Sequence, residues 1–224
     1  MALTTFLMII LGCSDARSVP DPQSFVYIKT QSVDGQDDCE NESCPIRLMT
    51  SSGSGSVIRH HGDNTYVLTA GHVCEVPDAS ISVAIAVDSA GVTHDVEKSK
   101  YSSDPDLCVM RSSGTWGVPL KISKDHVEYG DRVLVMAAPN GIFAKSMVPL
   151  FDGMYSGNVS NGDGVYTLPA MAGSSGSAVL NEELEVVAVI HSATKGFQHI
   201  AIGSNAQKIS AFIKSVESFI NGQD

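Results

Sequence analysis

AGSSGSAVLN (residues 172–181) places three serines among two glycines and runs into a strand-like apolar segment. The string fits a surface loop, and it also fits the nucleophile turn of a hydrolase. Hydrolases built on alternating strands and helices present the serine in a G-x-S-x-G elbow, with the acid and then the histidine later in the chain. With Gly173 as the first glycine, that elbow needs glycine at position 177, which is Ser177. The only aspartate after Ser175 is Asp224, which follows both later histidines. An α/β elbow is therefore excluded, and the catalytic partners of this turn have to come from earlier in the chain.

Outward from this turn the chain is a succession of short apolar runs: IRLMT, GSVIRH, TYVLTA, ISVAIAV, DLCVMR, RVLVMAAP, MVPLF, VYTLP, SAVL and EVVAVIHSA. Breaks rich in Gly, Asn and Asp, such as HHGDNT and SNGDG, separate them as hairpin turns would. Many short strands at near-regular spacing predict an all-β fold. A helical period emerges only at the end. There Ile209, Phe212, Ile213, Val216 and Ile220 share one face, with Ser204 as the expected N-cap and Gly222 beyond the C-terminus. SSGTWGVPL (112–120) divides the strands into two groups of similar size. SSGSGS (51–56) stands out only as a low-complexity patch.

The chain has 224 residues, 43% of them hydrophobic and 17% charged, which is a globular composition with room for a sizeable core. A net charge of -11 and the lack of any basic run argue against a nucleic-acid partner. The N-terminal stretch MALTTFLMIILGCSDARS resembles a lipoprotein-type export signal, with Cys13 as the lipid attachment point and residues 1–13 as the signal. The expected destination is the periplasm or the extracellular space. Residues 14–45 are polar, and DGQDDCENES within them is strongly acidic, so we expect an irregular leader. Cys39 and Cys44 bracket that acidic loop and are placed to pair locally. No H-E-x-x-H motif or close His/Cys spacing suggests a metal, and no cofactor is implied.

Three strings carry the chemistry by their order. His72 follows a strand in VLTAGHV, Asp106 opens a strand in DPDLCVM, and Ser175 lies in AGSSGSAV. Each alone is an ordinary surface feature. Together they give the order His, Asp, Ser, which is one of the known chain orders of a catalytic triad. A serine hydroxyl needs a base to take its proton, and histidine titrates in the right range. A carboxylate holds the imidazole in the required tautomer, and two backbone N–H groups have to face the developing oxyanion.

On these residues the chain resembles the trypsin-like serine proteases, especially compact bacterial forms such as the high-temperature-requirement proteases and the glutamyl endopeptidases. TAGHV is similar to their T-A-x-H-V box, DLCVM to their D-L-A-hydrophobic strand, and GSSGSAV to G-[DNS]-S-G-[GS]-x-[LV]; GDRVLVMAAPNG resembles the strand before their Gly-x-Pro turn. The resemblance implies a double β-barrel of the chymotrypsin type with a C-terminal helix. The peptidase domain would span 46–224, with barrels at 46–112 and 128–203 and the helix at 204–221.

The resemblance also assigns roles. His72 becomes the general base, Asp106 the orienting carboxylate (Asp104 being a rival) and Ser175 the nucleophile. The N–H groups of Gly173 and Ser175 become the oxyanion hole. Ser174 stands where digestive relatives carry the aspartate that grips a freed N-terminus, so no such zymogen switch is expected. Pro169 occupies the position of the trypsin-type specificity carboxylate, and His191 falls near the strand lining the S1 pocket, where some relatives grip an acidic or amide side chain. With His72 beside Asp106, Cys74 and Cys108 come close enough for a disulfide, the alternative being two packed thiols. Protein or peptide substrates are implied. A catalytically silent binding protein on the same fold and an esterase on the same triad remain open alternatives.

Overall fold

The computed structural model describes residues 18–34, 47–75 and 81–223. Cys13, Cys39 and Cys44, and with them the expected lipid site and local pairing, lie outside the described residues.

Six strands close a first barrel in the order β1-β2-β3-β6-β5-β4. They are β1 (Phe25–Asp34), β2 (Arg47–His61), β3 (Asn64–Thr69), β4 (Ile81–Asp88), β5 (Thr93–Ser103) and β6 (Asp106–Ser113). A single helical turn, α1 (Gly71–Cys74), follows β3. The second barrel closes in the order β10-β11-β12-β9-β8-β7. Its strands are β7 (Arg132–Met136), β8 (Leu150–Asn158), β9 (Gly164–Tyr166), β10 (Ala178–Leu180), β11 (Val186–Thr194) and β12 (Phe197–Asn205). All pairings within the two barrels are antiparallel.

Strand alternation explains why several runs are apolar at every position. On β3, Val67 enters the first barrel's interior, whereas Tyr66 and Leu68 face the junction with the second barrel and the C-terminal helices. On β6, Cys108 and Met110 point inward while Leu107 and Val109 face the junction. The same split holds on β10, where Val179 fills the second barrel and Ala178 and Leu180 join the junction core. Both faces of these strands are therefore buried, and the barrels are packed together through a third core that also takes Ile209, Phe212, Phe219 and Ile220.

Three boundaries differ from the sequence expectation. The region 14–45 is not wholly an irregular leader, because β1 belongs to the first barrel and pairs along its length with β2 and β4. Phe25, Val26 and Ile28 are fully buried there, so FVYI is core strand despite the acidic run that follows. SSGSGS, in sequence only a low-complexity patch, is the centre of β2. A Cβ on Gly55 would meet Val67 Cγ1 at 2.8 Å and Ile28 Cδ1 at 2.9 Å, so only glycine lets the barrel close at that point. At the C-terminus, Ser204 ends within β12 and Asn205 is the N-cap, its side chain accepting from Lys208 N–H. The single helix expected over 204–221 is two: α2 (Ala206–Ser215) and α3 (Glu217–Ile220), parted at Val216. Ser215 Oγ donates to Phe212 O at 2.7 Å, a back-bond that competes with continuing the helix.

Candidate active site

β3 runs straight into α1, and α1 lies against the start of β6. Gly71 makes this approach close, since a Cβ there would sit 2.3 Å from Ser102 O and 2.7 Å from Asp106 Oδ1. The next residue, His72, is then bound twice by Asp106. Its backbone N–H donates to Oδ1 at 2.8 Å, and its ring Nδ1 lies 2.7 Å from Oδ2. An ionised carboxylate only accepts, so Nδ1 carries the proton and Nε2 keeps its lone pair toward the solvent side.

The pair is electrostatically reinforced. The hydrogen bond donated to Asp106 raises the His72 pKa above its ordinary 6.5, against burial, with the charges of Asp106 and Glu75 adding to the rise. Burial pushes the Asp106 carboxyl up, but the two hydrogen bonds from His72 and the nearby charges of His72 and His191 outweigh it, leaving the pKa below its usual 3.8. A disulfide between Cys74 and Cys108 staples α1 to β6, with 6.4 Å between the Cα atoms. Of the two alternatives the sequence left open, the structure thus contains the bridge.

The turn from Met171 to Ser177 sits on the second barrel and presses on the first. Gly173 and Gly176 both have φ near +90°, the region that favours glycine. A Cβ on Gly176 would lie 2.0 Å from Ser54 O and 2.1 Å from Thr69 Oγ1, so the turn is seated directly on β2 and β3. Among the three serines, burial separates the roles. Ser174 is 1% exposed with its Oγ receiving Met171 N–H, and Ser177 is fully buried. Only Ser175 is partly open to solvent.

The backbone N–H groups of the turn are also sorted. Ser174 N–H donates to Met171 O, Gly176 N–H to Ile190 O and Ser177 N–H to Ser174 O. Among the described residues, the N–H groups of Gly173 and Ser175 have no such acceptor. Asn140 N–H donates to Ala172 O at 2.6 Å. In a trans peptide the N–H points opposite to the C=O, so fixing Ala172 O turns Gly173 N–H away from Asn140.

Ser175 and Val73, the residue after His72, approach the same point on β2. A Cβ on Gly53 would meet Val73 Cγ2 at 2.7 Å and Ser175 O at 3.0 Å. No hydrogen bond joins the Ser175 hydroxyl to the His72 ring among the described contacts, a looseness common where no substrate is bound.

A cleft of about 300 Å³ opens beside Ser175, with Ala170, Ile190, Ser192, Ala193 and Lys195 among its lining. Neither Pro169 nor His191 lines it. The expectation for His191 is corrected here. It is the extra residue of a bulge on β11, where Ile190 pairs with Gly203 and Ser192 with Ile202. Its neighbours on both sides border the cleft, so its own side chain faces the other way. There His191 Nε2 lies 3.2 Å from Asp163 Oδ2, while Lys208 Nζ donates to Asp163 Oδ1 at 2.7 Å. Sequence reasoning did not single out Asp163, Lys208 or Ser54. Nothing in their local sequence marks them, because each gains its partners only through barrel closure.

The sequence profile of the family described as "Trypsin-like peptidase domain" matches residues 53–189, more than half of the chain. The fold is similar to that of the serine endoprotease from Yersinia pestis. That match has a TM-score of 0.64 and 20% sequence identity, and it covers 91% of this chain and 68% of the other. No curated protein matches the sequence closely enough to count as a relative. With residues 53–189 matched and the double barrel in place, the chain belongs to the trypsin-like peptidase domain family.

Proposed function

We propose that the chain is a serine endopeptidase that cleaves through Ser175, His72 and Asp106. The observation that carries this reading is the doubly held His72, whose Nε2 is left free, next in the chain to Val73, which packs on Gly53 of β2 where the backbone of Ser175, the one partly exposed serine of the turn, also arrives. Ser175 Oγ attacks the scissile carbonyl while His72 Nε2 takes its proton. The negative charge that builds on the carbonyl oxygen is received by Gly173 N–H and Ser175 N–H, neither of which has an acceptor among the described residues. Asp106 stabilises the imidazolium, which returns its proton to the leaving amine. Water then enters by the same base and releases the acyl group from Ser175.

The lining of the cleft beside Ser175 speaks against a basic P1 side chain. Ala170, Ile190 and Ala193 give it apolar walls, and Lys195 is the only ionisable residue lining it. A basic P1 side chain would meet no carboxylate there and would lose its hydration without return. Export, with lipid attachment at Cys13, is part of the proposal. It is consistent with the Cys74–Cys108 disulfide, since such bonds persist mainly in oxidising compartments.

The test compares wild type with Ser175→Ala on a peptide library varied at P1. The reading expects turnover by wild type, weakest for basic P1, and none above background by the variant. Equal turnover by both proteins refutes it.

A further inference from the structure

SSGSGS, so plain in sequence, contains a residue whose N–H and hydroxyl are both spent on the joint between the barrels. Ser54 is fully buried on β2. Its N–H donates to Ser175 O at 2.7 Å, and its carbonyl accepts from Thr69 Oγ1 at 2.7 Å. Its hydroxyl donates to Gly173 O at 2.7 Å and accepts from Ala138 N–H at 3.1 Å. One residue of the first barrel thus holds the turn of the second at two points, Ser175 by its backbone N–H and Gly173 by its side chain.

We propose that the Ser54 hydroxyl is a positioning group for the oxyanion hole. Gly173 is flanked by two peptide planes. Asn140 N–H fixes the preceding one through Ala172 O, and Ser54 Oγ fixes the following one through Gly173 O. A glycine at φ +90° has no side chain to resist rotation of either plane. The direction of Gly173 N–H is therefore set from outside, directly by Asn140 on its own peptide plane and, across the Gly173 Cα, by one hydroxyl in the other barrel that anchors the next plane. Ala138 is drawn in by the same oxygen, and its carbonyl lies where a Cβ on Gly173 would be, 2.4 Å away. The donors for the oxyanion are preorganised only when the two barrels are engaged through Ser54.

This inference rests on the peptidase reading, and its test separates the two. Ser54→Ala is compared with wild type and with Thr65→Val. The latter removes another fully buried hydroxyl of the first barrel, one that donates to Gly114 O. Each protein is measured for kcat and KM, for thermal unfolding, and for affinity to two ligands. One ligand is a peptidyl trifluoromethyl ketone, whose hemiketal oxyanion occupies the hole. The other is the same peptide with a reduced CH2–NH bond, which forms no oxyanion.

Loss of one positioned donor typically costs about 10²–10³ in kcat, and a misplaced one costs less. We expect Ser54→Ala to lower kcat and ketone affinity together by about 10- to 100-fold, with KM and reduced-peptide affinity unchanged. Thr65→Val should lower the unfolding temperature without this split. If Ser54→Ala does not fold, Ser54→Cys, nearly isosteric but a weak donor, is expected to give the same split. An unchanged ketone affinity, or an equal loss for both ligands, overturns the role of Ser54 and leaves the peptidase reading standing. An inert wild-type protein overturns both.

Discussion

Asp106→Asn is the sharpest perturbation of the His72–Asp106 pair, because it changes one atom and the charge without changing the shape. Asp106 accepts twice, with Oδ1 on the His72 backbone N–H and Oδ2 on the ring Nδ1. An asparagine has one acceptor oxygen and one NH2. If the oxygen stays with the backbone, the NH2 faces Nδ1 and forces the ring proton onto Nε2, the atom that has to accept from Ser175. If the amide flips, the NH2 opposes the backbone N–H and α1 loses its anchor. Both arrangements disable the base, and the wrong-tautomer exchange in the serine-protease template costs about 10⁴ in kcat, or about 5 kcal/mol of barrier.

The pH profile gives an independent sign. Asp106 raises the His72 pKa, so wild-type kcat/KM should climb through a limb lying above pH 6.5, as the imidazole loses its proton. With the largest raising cause removed and burial opposing, the limb of Asp106→Asn should move to lower pH. Stability adds a second sign. The depressed Asp106 contributes above about pH 4, and the raised His72 contributes below about 6.5 and fades as pH rises through its folded value. The variant should therefore lose more stability at pH 5.5 than at pH 9, modestly, because the His72 ring is 42% exposed. The assay is hydrolysis of a peptide p-nitroanilide across pH, normalised to active sites. A variant keeping more than about a tenth of wild-type kcat, or a limb that does not move, contradicts the roles given to Asp106 and His72.

Three further outcomes follow from particular contacts. Replacing both Cys74 and Cys108 by alanine opens a cross-link spanning 34 residues. The chain-entropy relation gives a loss of about 3–4 kcal/mol, measurable as a lower urea midpoint. Gly176→Ala puts a Cβ against Ser54 O and Thr69 Oγ1 at φ +90°, so soluble yield and unfolding temperature should both fall, and wild-type stability would show that the turn is not seated as described. His191→Ala should leave the order of P1 preference unchanged, since the ring faces Asp163 and not the cleft. A selective loss of Glu or Gln at P1 would show that His191 reaches the substrate after all.

Much of the fold was written locally. Apolar runs such as YVL and LCVM marked the strands, and Ser177 in place of a glycine, with no aspartate between Ser175 and the later histidines, ruled out the α/β alternative. What escaped was set by distant neighbours. Phe25 to Ile28 were hidden by the acidic stretch after them, although their burial makes β1 a core strand. Ser54 and Gly55 read as low complexity because small residues signal loops in sequence, whereas here smallness permits barrel closure. His191 was misplaced because a one-residue slip in the assumed register swaps the two faces of a strand; Ile190 and Ser192 take the cleft face, and no local signal announces which set does. The break at Val216 depends on a back-bond from Ser215, which helix periodicity does not reveal.

The central claim is that Ser175 is a nucleophile activated by its fold. Its most direct test is reaction of the native protein with a fluorophosphonate probe, followed by peptide mass mapping. The account predicts a single adduct on Ser175, absent after heat denaturation and strongly slowed by His72→Ala. No adduct on the native protein, or one on Ser174 or Ser177 instead, would contradict it.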